Sequence, residues 1–361
     1  MLRRLMLTAL VTAAATTLLA QDAPAPRDTI RKSDGKILAN LEVLRETPEK
    51  VEVDTKGDGK VDLTLDQNEV KSIDYGGAPA SYVQALAFFR VRQYDKAVAS
   101  FREAAADASV RKWVKDYAAY YIALCLAKQA EAAPAERPRA VQAFEALLRD
   151  PNNRWRDDAK SQLGEVYLAA GDRAQALGVF QALEKDAYRE ETRLNAAAGL
   201  AALLMEEKRP DEALQRYDTI VAGAKGRFAD LYVSALVGKA EAHTALKQYT
   251  EAEQFLAGVM KTSTNEDVLA KAHSALGDCF FAQAEALKKE DPDARSKYKA
   301  ALKHYLWNIV VFYNQKNECA RSLLYAGKCH EKLGEKDPAD ALYRKLRAEF
   351  GATKWAGMIG R

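Results

Sequence analysis

The chain has 361 residues, of which 48% are hydrophobic and 29% charged, with a net charge of +3. That is enough apolar material for two domains or one extended array. Arg3 and Arg4 belong to a segment expected to be removed, which leaves about +1, a balance that argues against nucleic acid or an anionic membrane as the main partner.

The first twenty residues, MLRRLMLTALVTAAATTLLA, set a short basic start before an apolar run from Leu5 to Leu19. This is the pattern of a secretory signal, with cleavage expected after Ala20 and a periplasmic destination. The run is short for a membrane span, which weighs against a retained anchor. No cysteine follows it for lipid attachment, and no later run is long enough to cross a membrane. Residues 21–27, rich in proline, read as an extended linker.

From Asp28 to Gly77 the pattern has period two, which predicts a small β domain over 28–77. TIRKSDGKILANLEVL holds a strand, an Asp34-Gly35 turn and a second strand, and NEVKSIDY closes the region with Val70 and Ile73. Four or five short strands predict a small β-barrel or rolled sheet. A core this small is expected to lean on its neighbour. Within it, VDTKGDGKVDLTL (53–65) carries Asp54, Asp58 and Asp62 close to calcium-loop spacing. A calcium loop needs oxygens at its first, third and fifth positions and a bidentate Glu at the twelfth. Lys56 and Leu65 stand at the third and the twelfth, so a tight hairpin turn at Asp58-Gly59 is predicted, with Gly57 and Gly59 permitting positive φ.

From Ala80 to the end, apolar residues recur at three and four, the helical period. Gly164 is followed three on by Tyr167, twelve on by Ala176, sixteen on by Phe180 and nineteen on by Leu183. The same offsets start at Ala85, Ala201, Ala240 and Gly327. Two more units, around Ala123 and Leu276-Gly277, fit if their internal turns are longer. The second-helix alanines are then 97, 140, 176, 213, 252, 301 and 339. A small residue on the first helix lets the second approach, and aromatics fill the gap to the next pair. Each pair leaves a face uncovered, so units must stack.

These offsets resemble the tetratricopeptide repeat family over roughly residues 80–350. The resemblance implies a mainly α fold: an α-solenoid of about seven helical hairpins in a right-handed superhelix, spanning 80–361 after the β domain. RDPNNRWRDDAKSQLGEVYLAAGD and RAEFGATKWAGMI are also similar to linking segments of bacterial envelope-assembly members. Some family members capture C-terminal carboxylates with Lys, Arg and Asn on successive first helices. Here Tyr82/Leu86, Tyr120/Leu124 and Ser161/Glu165 stand there, which makes such capture improbable.

Chemistry finds little foothold. Cys125, Cys279 and Cys329 each lie two residues after the small residue of a first helix, a packing position. Cys319 and Cys329, ten residues apart on one helix, are about 15 Å apart and cannot bridge. A Cys279–Cys329 bridge between neighbouring units stays open. His243 and His330 stand at a position that is Phe or Tyr in other units, and no histidine has a ligand-spaced partner. No nucleophile elbow, phosphate loop or dinucleotide fingerprint occurs, so no catalytic residue, metal or cofactor is expected. Tyr82, Phe89, Tyr117, Tyr120 and Tyr121 belong to the first two first helices. Some are expected to face the concave groove and grip a partner, with packing between units as the competing role for Tyr117 and Tyr121. Tyr305, Trp307, Phe312 and Tyr313 (HYLWNIVVFY, 304–313) lie in the second helix of unit six and read as core.

The expected function is a non-catalytic scaffold of the cell envelope that binds a protein or peptide in its concave groove. The alternatives are an architectural subunit of a secretion, pilus or outer-membrane assembly machine, or a metal-binding or enzymatic accessory factor acting through the β domain.

Overall fold

A computed structural model describes residues 27–288 and 291–360. The expected signal, 1–20, and linker residues 21–26 lie outside the described residues.

The period-two region forms β1 (Asp28–Lys32), β2 (Ile37–Glu46), β3 (Lys50–Asp54), β4 (Leu63–Asp66) and β5 (Val70–Asp74), all antiparallel, in the order β4-β3-β2-β1-β5. Alternation puts Ile30, Leu41, Val43, Val51, Val53 and Leu65 on one buried face. Register shifts in β1 and β2 coil the sheet. It does not close, because β4 and β5 are not paired with each other. Of the two forms expected, barrel or rolled sheet, the chain takes the second, open and coiled. A turn of 3-10 helix, Gln67–Glu69, carries the chain from the short β4 to the opposite edge.

Residues 55–62 turn the chain between β3 and β4. Asp54 accepts backbone N–H groups of Lys56 (2.8 Å), Gly57 (2.6 Å) and Gly59 (2.7 Å), and Asp62 accepts from Thr55 N and Oγ1, both at 2.9 Å. Gly57 and Gly59 have positive φ. The carboxylates at the two ends of the loop hold its own donors, and the loop is a wider hairpin than the tight turn expected.

The body is seven antiparallel helix pairs: α1 (Ala80–Arg90) with α2 (Tyr94–Ala106), α3 (Lys112–Ala132) with α4 (Arg137–Leu148), α5 (Arg156–Ala170) with α6 (Arg173–Asp186), α7 (Glu190–Glu206) with α8 (Pro210–Ala224), α9 (Ala229–Ala245) with α10 (Tyr249–Thr262), α11 (Glu266–Ala286) with α12 (Pro292–Val310), and α13 (Lys316–Leu333) with α14 (Lys336–Phe350). All seven second-helix alanines are buried, as are Phe101, Phe144, Phe180, Tyr217, Leu256, Tyr305 and Tyr343, four residues on from each. In the two units with inserted residues the first helix is lengthened: α3 and α11 have 21 residues each. The last apolar face is covered by Trp355, Ala356, Met358 and Ile359, which fold back on α13 and α14, with Trp355 Nε1 donating to Asn317 Oδ1 at 3.0 Å.

Five of the seven hairpin turns share one geometry. Gln93, Asp172, Arg209, Gln248 and Glu335 each donate a backbone N–H to the carbonyl five residues back. The residue before each donor is left-handed: Arg92, Gly171, Lys208, Lys247 and Gly334. This is the helix cap that glycine fits best. Lys247 is exposed with φ 62. Lys247→Gly is expected to stabilise the chain by about 1 kcal/mol through relief of this conformation. Urea unfolding checks it, and an unchanged or lower midpoint refutes it.

Candidate protein-interaction surfaces

Tyr82 and Tyr120 are buried, and Phe89, Tyr117 and Tyr121 are half-buried. Tyr82 meets Phe101 and Trp113 edge-on, Tyr121 stacks on Phe101, Phe89 meets Tyr121 edge-on, and Tyr120 stacks on Trp155 at 4.2 Å. Tyr117 meets Trp155 and Tyr75 edge-on. All five thus belong to one aromatic block that joins the first three units to the sheet. Of the five, Tyr82 and Tyr120 are taken up by this packing, while Phe89, Tyr117 and Tyr121 keep part of their surface open. The rings of Tyr82 and Tyr120 remove more apolar surface from water between units than they would on an open face.

The sheet contacts the starts of three successive first helices. Asp28 of β1 is fully buried and receives both guanidinium nitrogens of Arg111, just before α3, at 2.8 and 2.7 Å. It also accepts Val43 N at 2.7 Å and Gly76 N at 2.9 Å. Glu46 of β2 accepts from Tyr75 and Tyr117 and lies 3.4 Å from Arg154 Nε, just before α5. Asp66 of β4 accepts from Tyr188, just before α7. The sheet therefore runs along the edge of units one to four as a splint and holds their relative angles.

The first helices share an interior. Arg92, in the first hairpin turn, donates to Asp267 at 2.8 Å across 175 residues, and α3 touches α13. Burial pushes Glu165 of α5 up from its ordinary value, against the charges of Lys271 on α11 and Lys128 on α3. Glu165 stays open to water, so it stands in a wet enclosure walled by protein. Burial also pushes Glu241 of α9 up to about 7; Arg321 of α13 opposes this and Asp278 and Glu318 add to it. Between its ordinary 4.5 and 7 this carboxyl takes up a proton on folding, so its contribution to stability falls as pH rises through that window. Asp278 accepts from Tyr305 at 2.6 Å and pairs with Arg321. Sequence reading missed this set because its members lie tens of residues apart; their one local signal is polarity on first helices.

All four cysteines are buried and free. Burial raises their thiols, Cys125 to about 12 and Cys319 to about 11, which leaves little thiolate. His243 and His330 bond Gln248 and Glu335 through Nδ1 at 2.6 and 2.7 Å, within the shared turn geometry. The Nδ1 atoms of His273 and His304 lie 3.1 Å apart between α11 and α12, a pairing that ligand spacing along one helix does not reveal.

Family models described as tetratricopeptide repeat match residues 204–276 and 321–352. The chain carries tetratricopeptide repeats. Among curated proteins, none matches it. A tetratricopeptide repeat protein from Parabacteroides merdae is 13% identical, with 75% of this chain and 94% of that one covered and a TM-score of 0.47. PilW, described as a widely conserved type IV pilus biogenesis factor, is 19% identical over 66% of this chain and 96% of its own, with a TM-score of 0.41. The pilF protein of Pseudomonas aeruginosa is 16% identical over 64% and 95%, with a TM-score of 0.36. A tetratricopeptide-repeat array is a protein-interaction scaffold, and it is generally non-catalytic. No helix among the described residues is long and apolar enough to cross a membrane.

Proposed function

We propose that this tetratricopeptide-repeat protein is a non-catalytic scaffold of the bacterial cell envelope. It receives a protein or peptide in its concave interior. The observation that carries the reading is the set of charged side chains on inward faces of α3, α5, α9, α11 and α13, which feel one another across several units. A mixed-sign interior fits a polar peptide segment, with Glu165 and Glu241 facing its cations and Lys271 its carboxylates. The secretory pattern of the first twenty residues supports a periplasmic location.

Site-specific photo-crosslinking in cells tests this. A photoreactive residue at Glu165, Glu241 or Lys271 is expected to yield one discrete adduct in the periplasmic fraction. The same residue at Glu103, exposed on α2, is expected to yield none. Adducts from the α2 position alone, or from neither face, would sink the interior-binding reading. Recovery of the chain in the cytoplasm with residues 1–20 attached would sink the location.

A further inference from the structure

The outer side of the sixth unit carries a row that the fold covers only in part: Leu306 leans on the core and Trp307 stacks on His273 at 5.6 Å, but much of the row stays open. Leu306, Trp307, Val310 and Val311 follow Lys299 and Lys303 along one face of α12 and its end, at three- and four-residue spacing, and line one open groove. Val310 is 76% exposed, Val311 52% and Trp307 46%. Trp307 is therefore no core residue, whereas Tyr305 and Phe312 are buried as expected. The opposite face of α12 already supplies core through Tyr298, Ala301, Tyr305 and Asn308. One apolar stripe explains how a helix joins a repeat; a second one, facing out, calls for something to cover it. No other helix among the described residues exposes three large apolar side chains.

Charge indicates what covers it. From Ala294 to Asn317 the chain has five basic residues and no acidic one. Lys297 and Lys316 lie over the rings of Phe280 and Tyr313, at 5.2 and 3.7 Å. Lys299 and Lys303 remain beside the row. We propose that this strip docks an amphipathic helix of a protein partner that carries Asp or Glu beside its apolar face. The row is one helix wide and about 18 Å long, the length of about three helical turns. Its ridges repeat at the spacing that receives another helix. A second copy docking through the same strip brings lysines and no carboxylate. A bilayer meets only two outward lysines, each worth about 1 kcal/mol at an anionic surface. This surface is separate from the concave interior, so either can fail alone.

The test uses the full chain and two synthetic 20-residue amphipathic peptides with the same leucine face, one flanked by Glu and one by Lys. Calorimetric titration is expected to show the Glu peptide binding at least tenfold more tightly. Lys299→Glu with Lys303→Glu is expected to reverse that order, and Val310→Asp to abolish binding with helical circular dichroism unchanged. Equal affinity for both peptides, or binding of neither, overturns the proposal. So does co-sedimentation with phosphatidylglycerol vesicles that Val310→Asp abolishes, which would make the occupant a bilayer. A doubled mass in light scattering that Val310→Asp returns to one chain would make it a second copy.

Discussion

Replacing Phe180 by alanine is expected to cost about 3–5 kcal/mol, the upper range for a core aromatic. The ring is fully buried and faces glycine on two helices. A Cβ built on Gly164 would lie 2.6 Å from it, and one on Gly199 of the next unit 2.4 Å. Backbone lines both sides of the ring, so no neighbouring side chain at those two positions can move in to fill the hole. The cost falls on two units at once, because Phe180 belongs to unit three and Gly199 to unit four. Gly199→Ala is the converse experiment. Overpacking against a ring that cannot retreat is expected to cost about 1–3 kcal/mol. Phe180→Leu, which shortens the obstacle, is expected to recover part of that loss in the double variant. Hydrogen exchange resolves the effect along an array whose stability is a sum over neighbours. Protection should fall first in α5 to α8. A loss for Phe180→Ala below about 1 kcal/mol, or one spread evenly along the chain, would contradict this account.

The second large effect is at the splint. Asp28→Ala is expected to cost about 2–3 kcal/mol, somewhat under the range for a fully buried pair, because Arg111 keeps a third of its side chain in water. The variant leaves the Arg111 guanidinium without its carboxylate, and Val43 N and Gly76 N without their acceptor. The helical body has its own core in every unit, so its circular dichroism should survive while the sheet loosens. Limited proteolysis should then cut first within residues 28–77. Arg111→Ala should cost at least as much, because it leaves the fully buried Asp28 carboxylate without its counter-charge, although the two backbone donors keep their acceptor. Equal resistance of wild type and Asp28→Ala would show that Tyr75, Glu46 and Tyr188 hold the sheet without this pair.

Much of the architecture was legible because it is written in local periods. Offsets of three, twelve, sixteen and nineteen residues located five hairpins, longer internal turns admitted two more, and all seven second-helix alanines so named are buried. The inserted residues were legible as insertions, though not as longer first helices. Lys239 in unit five replaces an apolar residue of the family pattern; it pairs with Asp218 at 2.5 Å and lies over Phe255 at 4.6 Å. Its long stem does the covering an apolar side chain would do.

The candidate surfaces were less legible. Some of five aromatics are expected in the groove because their helices line it, but a helix has two faces, and the aromatic block with Trp113 and Trp155 takes Tyr82 and Tyr120. Trp307 reads as core because it lies on a second helix, yet the outward face of α12 exposes it. Composition cannot decide such cases; the angle between neighbouring units does.

The sequence by itself determined the two-part order of the chain, the strand and helix periods, the close approaches and the turn at 55–62, because each depends on residues within a few positions of one another. Only the tertiary structure decided which faces remain free. Small rotations from one unit to the next add up until Arg92 meets Asp267, the sheet lies along three helix starts, and carboxylates from α5, α9 and α11 share one interior. A sum over seven units has no local signature, and it is that sum that sorts exposed side chains into packing and recognition.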